Sequence, residues 1–385
     1  MTMRIALVHM RHAQTGGTER YLNHLARHLA ESGHRVHILC RRHGQAPHPA
    51  VRFERLRGLA IGKSWRMWRF AKAVEAHVAG ADYDLVFGLG KTWTHDVMRL
   101  GGGLHRTYLE LAHREKLAPW KRPFAGLGLR HRVALAIERR AMGGGHCRRF
   151  ITNARMVGED LKRRYGIPDE RVSTVYNGVD LKRFHPGQAG DQGAQLRASL
   201  GWQEQRVVLF LGTGYGRKGL DLVLEAWPTL QRVHPDARLL VAGYDSGQAR
   251  FKARAEALGL GERVRFLGGR RDPENVYRAA DVYVLPTRYD PFANSTLEAL
   301  ASGLPTITSS SNGGAELLEE RVQGSIVNVG ERSAAVGRIA EELIHWCSPA
   351  ALAEGSVAAR RLAEKHSIES KMLETERLLL GLIAQ

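Results

Sequence analysis

The feature that most constrains this chain is an alternation. Apolar runs of strand length recur along it, and stretches with apolar residues at helical spacing fall between them. Residues 4–9, 34–40, 51–56, 84–90, 150–153 and 171–177 form a first set of runs. Residues 206–212, 238–243, 263–267, 282–285, 305–308 and 325–329 form a second. Helices are expected from Thr18, over 64–79 and 154–165, from Leu220, and up to Leu258, with a last one over 367–380. Strands alternating with helices build parallel sheets covered on both faces. The expected fold class is therefore α/β, with two doubly wound domains and a cleft between them. A chain of 385 residues has room for two such cores. The expected divisions are 1–170, 171–365 and a terminal helix in 366–385, with the polar, Gly-rich 186–194 a loop near the boundary.

Three turns carry candidate chemistry. Residues 10–17 end in Gly16-Gly17, ahead of a helix that Thr18 is expected to cap. The glycines serve either a tight turn or the close approach of an anion to the free N–H groups of the helix start. The spacing is not GxGxxG, so no dinucleotide coenzyme is indicated. The second turn is Thr213-Gly214-Tyr215-Gly216-Arg217-Lys218-Gly219. It is either a capped turn with two solvated charges or a diphosphate clamp. Arg offers a fork of donors to phosphate oxygens and Lys a point charge. The Gly-Lys-Ser/Thr ending of a Walker loop is missing. In the third, Asp290 follows the run 282–285, and Glu298 lies eight residues later in a helix that ends at Ser302-Gly303-Leu304-Pro305. Strand ends of open α/β sheets are where ligands bind. The pair is either a surface Asp with a solvated Glu, or two ligand-holding carboxylates. His105, after Gly101-Gly102-Gly103, is either a loop histidine or a residue facing a ligand.

Charge is distributed unevenly. Residues 1–170 hold 31 basic and 14 acidic side chains, and the remainder holds 26 and 25, so nearly all of the net +18 lies in the first half. Such an excess points to an anionic partner. It is densest over 108–140, which includes Lys116, Trp120, Lys121, Arg122, Phe124, Arg130, Arg132, Arg139 and Arg140. Helix 64–79 is also basic, and it either lies at a membrane surface or packs one face on the sheet; the favoured reading packs Trp65 and Trp68 inward with the charges facing water. No RNP-type, zinc-finger or other nucleic-acid recognition motif is present, so nucleic acid is not an expected partner. Cys40, Cys147 and Cys347 are scattered, which suggests neither a disulfide framework nor a zinc site. The apolar runs are too short for a signal-peptide core or a membrane span, so a cytoplasmic protein is expected.

Taken together, Gly16-Gly17, the Gly-x-Gly-Arg-Lys-Gly turn and the acidic-x7-Glu stretch before Ala-x-Gly-Leu-Pro resemble glycosyltransferase family 4. Within it the chain is most similar to the lipopolysaccharide core α-glucosyltransferases. The resemblance implies the GT-B architecture of two Rossmann-like domains. It implies a retaining hexosyl transfer from a nucleotide-diphosphate sugar, UDP-linked, to a lipopolysaccharide core or similar anionic glycolipid. No metal and no cofactor are implied, since charge stabilisation of the leaving diphosphate suffices. By the same likeness Arg217 and Lys218 neutralise the diphosphate, and Gly16 and Gly17 close over it. Asp290 stands where the family has a Glu that contacts sugar hydroxyls. Backbone N–H groups of Phe292, Ala293 and Asn294 hold the sugar and phosphates, Glu298 holds the ribose, and Arg270 lies where the base sits. His105 faces the reacting sugar carbon. The basic first half implies a peripheral position at the cytoplasmic face of the inner membrane. The alternative reading is a nucleotide-sugar epimerase of the same architecture.

Overall fold

The computed structural model describes residues 2–13, 16–58, 61–113, 120, 126, 128–188 and 190–383. The chain forms two compact units, Met1–Asn177 with Ile368–Gln385, and Gly178–Ser367. The first contains a parallel sheet of β1 (Arg4–Val8), β2 (Arg35–Cys40), β3 (Arg52–Arg55), β4 (Leu85–Gly88), β5 (Val97–Leu100), β6 (Arg149–Thr152) and β7 (Val172–Thr174). Its order is β3-β2-β1-β4-β5-β6-β7. The second contains β8 (Val207–Leu211), β9 (Arg238–Ala242), β10 (Val264–Gly268), β11 (Val282–Leu285), β12 (Thr306–Ser309) and β13 (Gly324–Val327), ordered β10-β9-β8-β11-β12-β13. Both are Rossmann-like, so the expected α/β class with two doubly wound domains is the observed one. In each sheet the strand order reverses beside the first strand, at β1/β4 and at β8/β11. Ligands of doubly wound sheets bind outside the carboxyl ends of the strands at such points.

The alternation of side chains along a strand explains the layering. In β1, Ile5 and Leu7 pack with Leu22, Leu25 and Leu29 of the helix Gly17–Glu31. Ala6 and Val8 point the other way, onto Phe70 and Val74 of the helix Gly62–Ala79. Burial on both faces is why these strands read as unbroken apolar runs. β8 and β11 follow the same rule, with Val207–Phe210 and Val282–Leu285 all buried.

Several expectations are corrected. The first unit extends to Asn177 rather than 170, because β7 pairs with β6 from Phe150↔Val172 to Thr152↔Thr174. The strand β5 was not anticipated, since Arg99 interrupts its apolar run. That Arg is buried, lies 3.8 Å over the Tyr21 ring and donates to Asn177 Oδ1 at 2.6 Å. Thr18 does not cap its helix; Gly16 does, at φ 109 and with no side-chain cap. The loop expected over 186–194 gives way at Gln192 to a helix capped by Asp191. Trp65 is 59% exposed rather than packed inward, whereas Trp68 does pack, against Trp93. Of the dense basic segment, Lys116, Lys121, Arg122 and Phe124 lie outside the described residues.

The last helix, Ile368–Ile383, returns to the first unit and buries Met372, Leu379 and Leu382 in its core. Its Glu376 carboxylate faces Nε2 of His28 at 2.8 Å and Nε2 of His34 at 3.1 Å. Burial pushes this carboxyl up, but bonds from Ser32, His28 and His34 outweigh burial and hold it below the usual carboxylate range. A depressed carboxyl contributes stability above its unfolded pKa, and the contribution is lost as pH falls through the folded value. Glu376→Gln should therefore cost about 2 kcal/mol at neutral pH. The difference from wild type should shrink below about pH 4, as read by urea unfolding across pH.

Candidate functional site

The turn after β8 is built to project two cations. Tyr215 is buried, its N–H donates to Asp245 Oδ2 at 2.6 Å, and its hydroxyl donates to the Gly243 carbonyl at 3.0 Å. This fixes the short helix Tyr215–Lys218. Gly219 then turns the chain at φ 82 into the helix Leu220–Val233, and a side chain there would collide with the Pro286 carbonyl. The turn after β8 and the loop after β11 therefore run in direct backbone contact. Their backbones are also bonded: Arg288 N–H donates to the Arg217 carbonyl at 2.8 Å, and Thr287 Oγ1 to the same oxygen at 3.1 Å. Arg288 in turn pairs with Asp221 at 2.8 Å.

Asp290 is held in this loop from both sides. Its N–H donates to the Ser311 carbonyl and its own carbonyl accepts from Gly313 N–H, each at 3.0 Å. Its carboxylate meets both cations: Oδ2 lies 2.7 Å from Lys218 Nζ and 3.0 Å from Arg217 Nη1. Oδ1 accepts from Phe292 N–H at 3.2 Å. Arg217 Nη1 also donates to the Tyr289 carbonyl at 2.9 Å. Burial pushes the Asp290 carboxyl up, but the charges of Lys218 and Arg217 outweigh it and hold the group below the usual carboxylate range. Burial also pulls Lys218 below the usual lysine value, with Asp290 opposing and Arg217 adding to the drop.

The structure thus brings Arg217, Lys218 and Asp290 together. Glu298, on the helix Asn294–Ala301, takes a hydrogen bond from Tyr277 Oη at 3.0 Å. Of the backbone donors expected to serve a ligand, Phe292 N–H is used by Asp290 and Ala293 N–H by Asn312 Oδ1 at 3.0 Å. Asn294 begins the helix. Arg270 lies past the edge strand β10 and pairs with Asp272 at 2.8 Å. Among the described residues, no group of three or more His, Cys, Asp or Glu side chains is arranged to hold a metal ion.

In the first unit, Gly16 and Gly17 open the helix that follows β1. Glu19 of that helix faces His9 Nε2 at 4.0 Å. His105 begins the short helix His105–Tyr108. Its backbone N–H donates to Glu138, which also takes Arg106 N–H at 3.3 Å and Tyr165 Oη at 2.8 Å. Its ring lies between Lys91 Nζ, 3.4 Å from Nδ1, and His131 Nδ1, 3.1 Å from Nε2.

Residues 15–183 match the family described as Glycosyltransferase Family 4, and residues 194–354 match Glycosyl transferases group 1. Together the two matches span most of the chain. The chain thus carries a Glycosyltransferase Family 4 domain followed by a Glycosyl transferases group 1 domain. A relative, D-inositol 3-phosphate glycosyltransferase of Mycobacterium sp. (strain JLS), is 33% identical over 227 residues, 57% of this chain and 48% of that protein. The matched stretch spans about half the length of the first curated relatives. The fold is also that of WaaG, a glycosyltransferase involved in lipopolysaccharide biosynthesis. That likeness has a TM-score of 0.78 and 23% identity, and covers 98% of this chain and 100% of that one. Anabaena Alr3699/HepE in complex with UDP and glucose has a TM-score of 0.72 and 18% identity over 98% and 100% of the chains.

Two members of this candidate site escaped sequence reasoning. Tyr277, which holds Glu298, sits in a buried helix that reads as core. Asn312 is fully buried with its amide saturated: Oδ1 accepts from Ala293 and Gly314 N–H, and Nδ2 donates to Thr296 and Thr308 Oγ1, both at 2.9 Å. The one available signal was Asn-Gly-Gly at 312–314, just past β12. Asn312→Ala strands these groups and should cost about 3 kcal/mol in urea unfolding. Unchanged stability would show that the loop holds itself.

Proposed function

We propose that this chain is a retaining hexosyltransferase. It moves a hexose from a nucleotide-diphosphate sugar, UDP-linked, to a lipopolysaccharide core or similar anionic glycolipid. The observation that carries the reading is the Arg217–Lys218 pair, fixed at the carboxyl end of β8 beside the β8/β11 reversal. Breaking a glycosyl–phosphate bond builds negative charge on the diphosphate and positive charge on the sugar ring. Preorganised cations stabilise the first of these without reorganisation at the moment of reaction. Arg217 and Lys218 take this role without a metal or cofactor. Glu298 holds the ribose, oriented by Tyr277, and Arg270 lies beside the base. The helix start at Asn294 receives ligand oxygens. Gly16, Gly17 and His105 keep the roles that the family likeness implies, on the phosphates and at the sugar carbon. In retention of configuration the leaving phosphate oxygen takes the acceptor proton on the same face.

UDP is supported by the HepE complex, and an anionic acceptor by the name of the inositol-phosphate relative and by the role of WaaG. A lipid-bound acceptor is supported by the first unit. Helix Gly62–Ala79 exposes Trp65 among Lys63, Arg69 and Lys72, with Ile61 93% exposed just ahead of it. It packs beside the helix Leu129–Gly143 through Arg140–Glu75 at 2.6 Å, and that helix exposes Leu129, Arg130, Arg132 and Arg139. Trp120 is 69% exposed. Aromatic and aliphatic tips in a basic field suit an anionic lipid surface at the cytoplasmic face of the inner membrane. No helix among the described residues is long and apolar enough to cross a membrane.

The test is to incubate the purified protein with UDP-hexoses and lipopolysaccharide-core acceptor. UDP release should need both, and the product should keep the anomeric configuration of the donor by NMR. Arg217→Ala with Lys218→Ala should cut turnover by about a thousandfold or more. Glu298→Gln should raise KM for the donor by about tenfold or more. Conversion of the donor sugar with no acceptor would mark an epimerase instead. No release with any nucleotide sugar would overturn the transferase reading.

A further inference from the structure

The family likeness gives Asp290 the role of a Glu that contacts sugar hydroxyls, but the geometry around it describes a different one. The shorter side chain hangs from a backbone pinned on both sides by Ser311 and Gly313. Both of its oxygens are engaged within the protein. Oδ2 is shared by Lys218 Nζ and Arg217 Nη1, and Oδ1 takes the Phe292 N–H. The three groups are also well enclosed, with side-chain exposures of 8% for Lys218, 15% for Asp290 and 22% for Arg217.

A lysine this enclosed is expensive to keep protonated without a counter-charge, whereas arginine stays charged in any site. The Lys218 stem runs close along Gly212, where an added side chain would lie 3.2 Å from the lysine Cγ. Arg217 is adjacent, Asp290 comes from the loop after β11, and Arg288 on that loop is already paired with Asp221 of the helix Leu220–Val233. Glu298 acts with Asp290 on the neighbouring buried Tyr283. Among the described residues, Asp290 is thus the anion in contact with Lys218.

We propose that Asp290 is a positioning residue of the diphosphate clamp, keeping Lys218 charged and Arg217 and Lys218 aimed, and is not a ligand of the donor sugar. The inference rests on the reading that Arg217 and Lys218 hold a diphosphate. It makes the Asp at 290 a change of role rather than a shortened sugar contact, so sugar discrimination comes from other groups.

The pH effect has a definite sign. Without the Asp290 charge, Lys218 loses its proton at lower pH than in the wild type. Diphosphate affinity of Asp290→Asn should then match or exceed wild type at the acid end and fall behind it as pH rises, by up to about one decade per pH unit. Asp290→Glu keeps the charge and should show no such limb. The measurement is calorimetric titration of the full chain with inorganic pyrophosphate, UDP and UDP-glucose between about pH 6 and 9, with a melt of each variant to establish folding. A ligand without a sugar is decisive: a positioning role predicts that Asp290→Asn loses pyrophosphate and UDP in the same pH-dependent way as UDP-glucose. Pyrophosphate and UDP affinities equal to wild type at every pH, with UDP-glucose alone weakened, would overturn the proposal. Should Asp290→Asn not fold, Asp290→Glu decides alone. Equal factors for all three ligands support a positioning role, and a change confined to UDP-glucose contradicts it. If the wild type binds neither pyrophosphate nor any of UDP, ADP and GDP, the diphosphate reading itself falls, and the proposal with it.

Discussion

The second unit depends on one junction, where the chain leaving β8 and the chain leaving β11 are bolted together. Parallel pairing sets the two strands side by side, through Val282↔Val208 and Tyr283↔Leu209. Beyond the strand ends the contact is not left to loop flexibility. Gly219 lets the backbones touch at Pro286, the Arg217 carbonyl takes two donors from the other loop, and Asp290 bridges to both cations. The positive charge at the strand ends is thus preorganised. That matters because a cation that need not move when charge develops stabilises a transition state far more than one that must be recruited.

The same junction shows where a sequence stops being legible. The strands can be read because burial on both faces leaves continuous apolar runs. The two turns can be read because Gly, Arg and Lys are grouped locally. The partnership of Lys218 with Asp290 cannot, since the two lie 72 residues apart and meet only because β8 and β11 are neighbours. Taken alone, Asp290 and Glu298 look like a couple at a fixed spacing. In the fold their roles separate, since one faces the cations and the other is held by Tyr277. Asn312 is invisible for the same reason, as its four partners come from the helix start at Ala293 and Thr296, from Thr308 of β12 and from its own turn.

In the first unit, tertiary contacts override local pattern in two places. Arg99 should not lie in a buried strand, yet it does, because the Tyr21 ring and the Asn177 amide together replace the water it loses. Trp65 should be covered, yet it stands in solvent among basic residues, whereas Trp68, one turn on, is packed. Helical spacing alone does not separate these two. The Trp93 ring that covers Trp68 comes from the loop between β4 and β5. The excess charge of this half, legible from composition, gains meaning from that exposed aromatic.

The proposed mechanism turns on whether a diphosphate, rather than a base or a sugar, is what the second unit grips. The direct measurement is the affinity of the full chain for UDP against UMP, in the wild type and in Arg217→Ala. A diphosphate clamp predicts that the second phosphate tightens binding by about a hundredfold and that most of this gain disappears in the variant. Equal affinities for UDP and UMP, or a gain that survives the loss of Arg217, would contradict it.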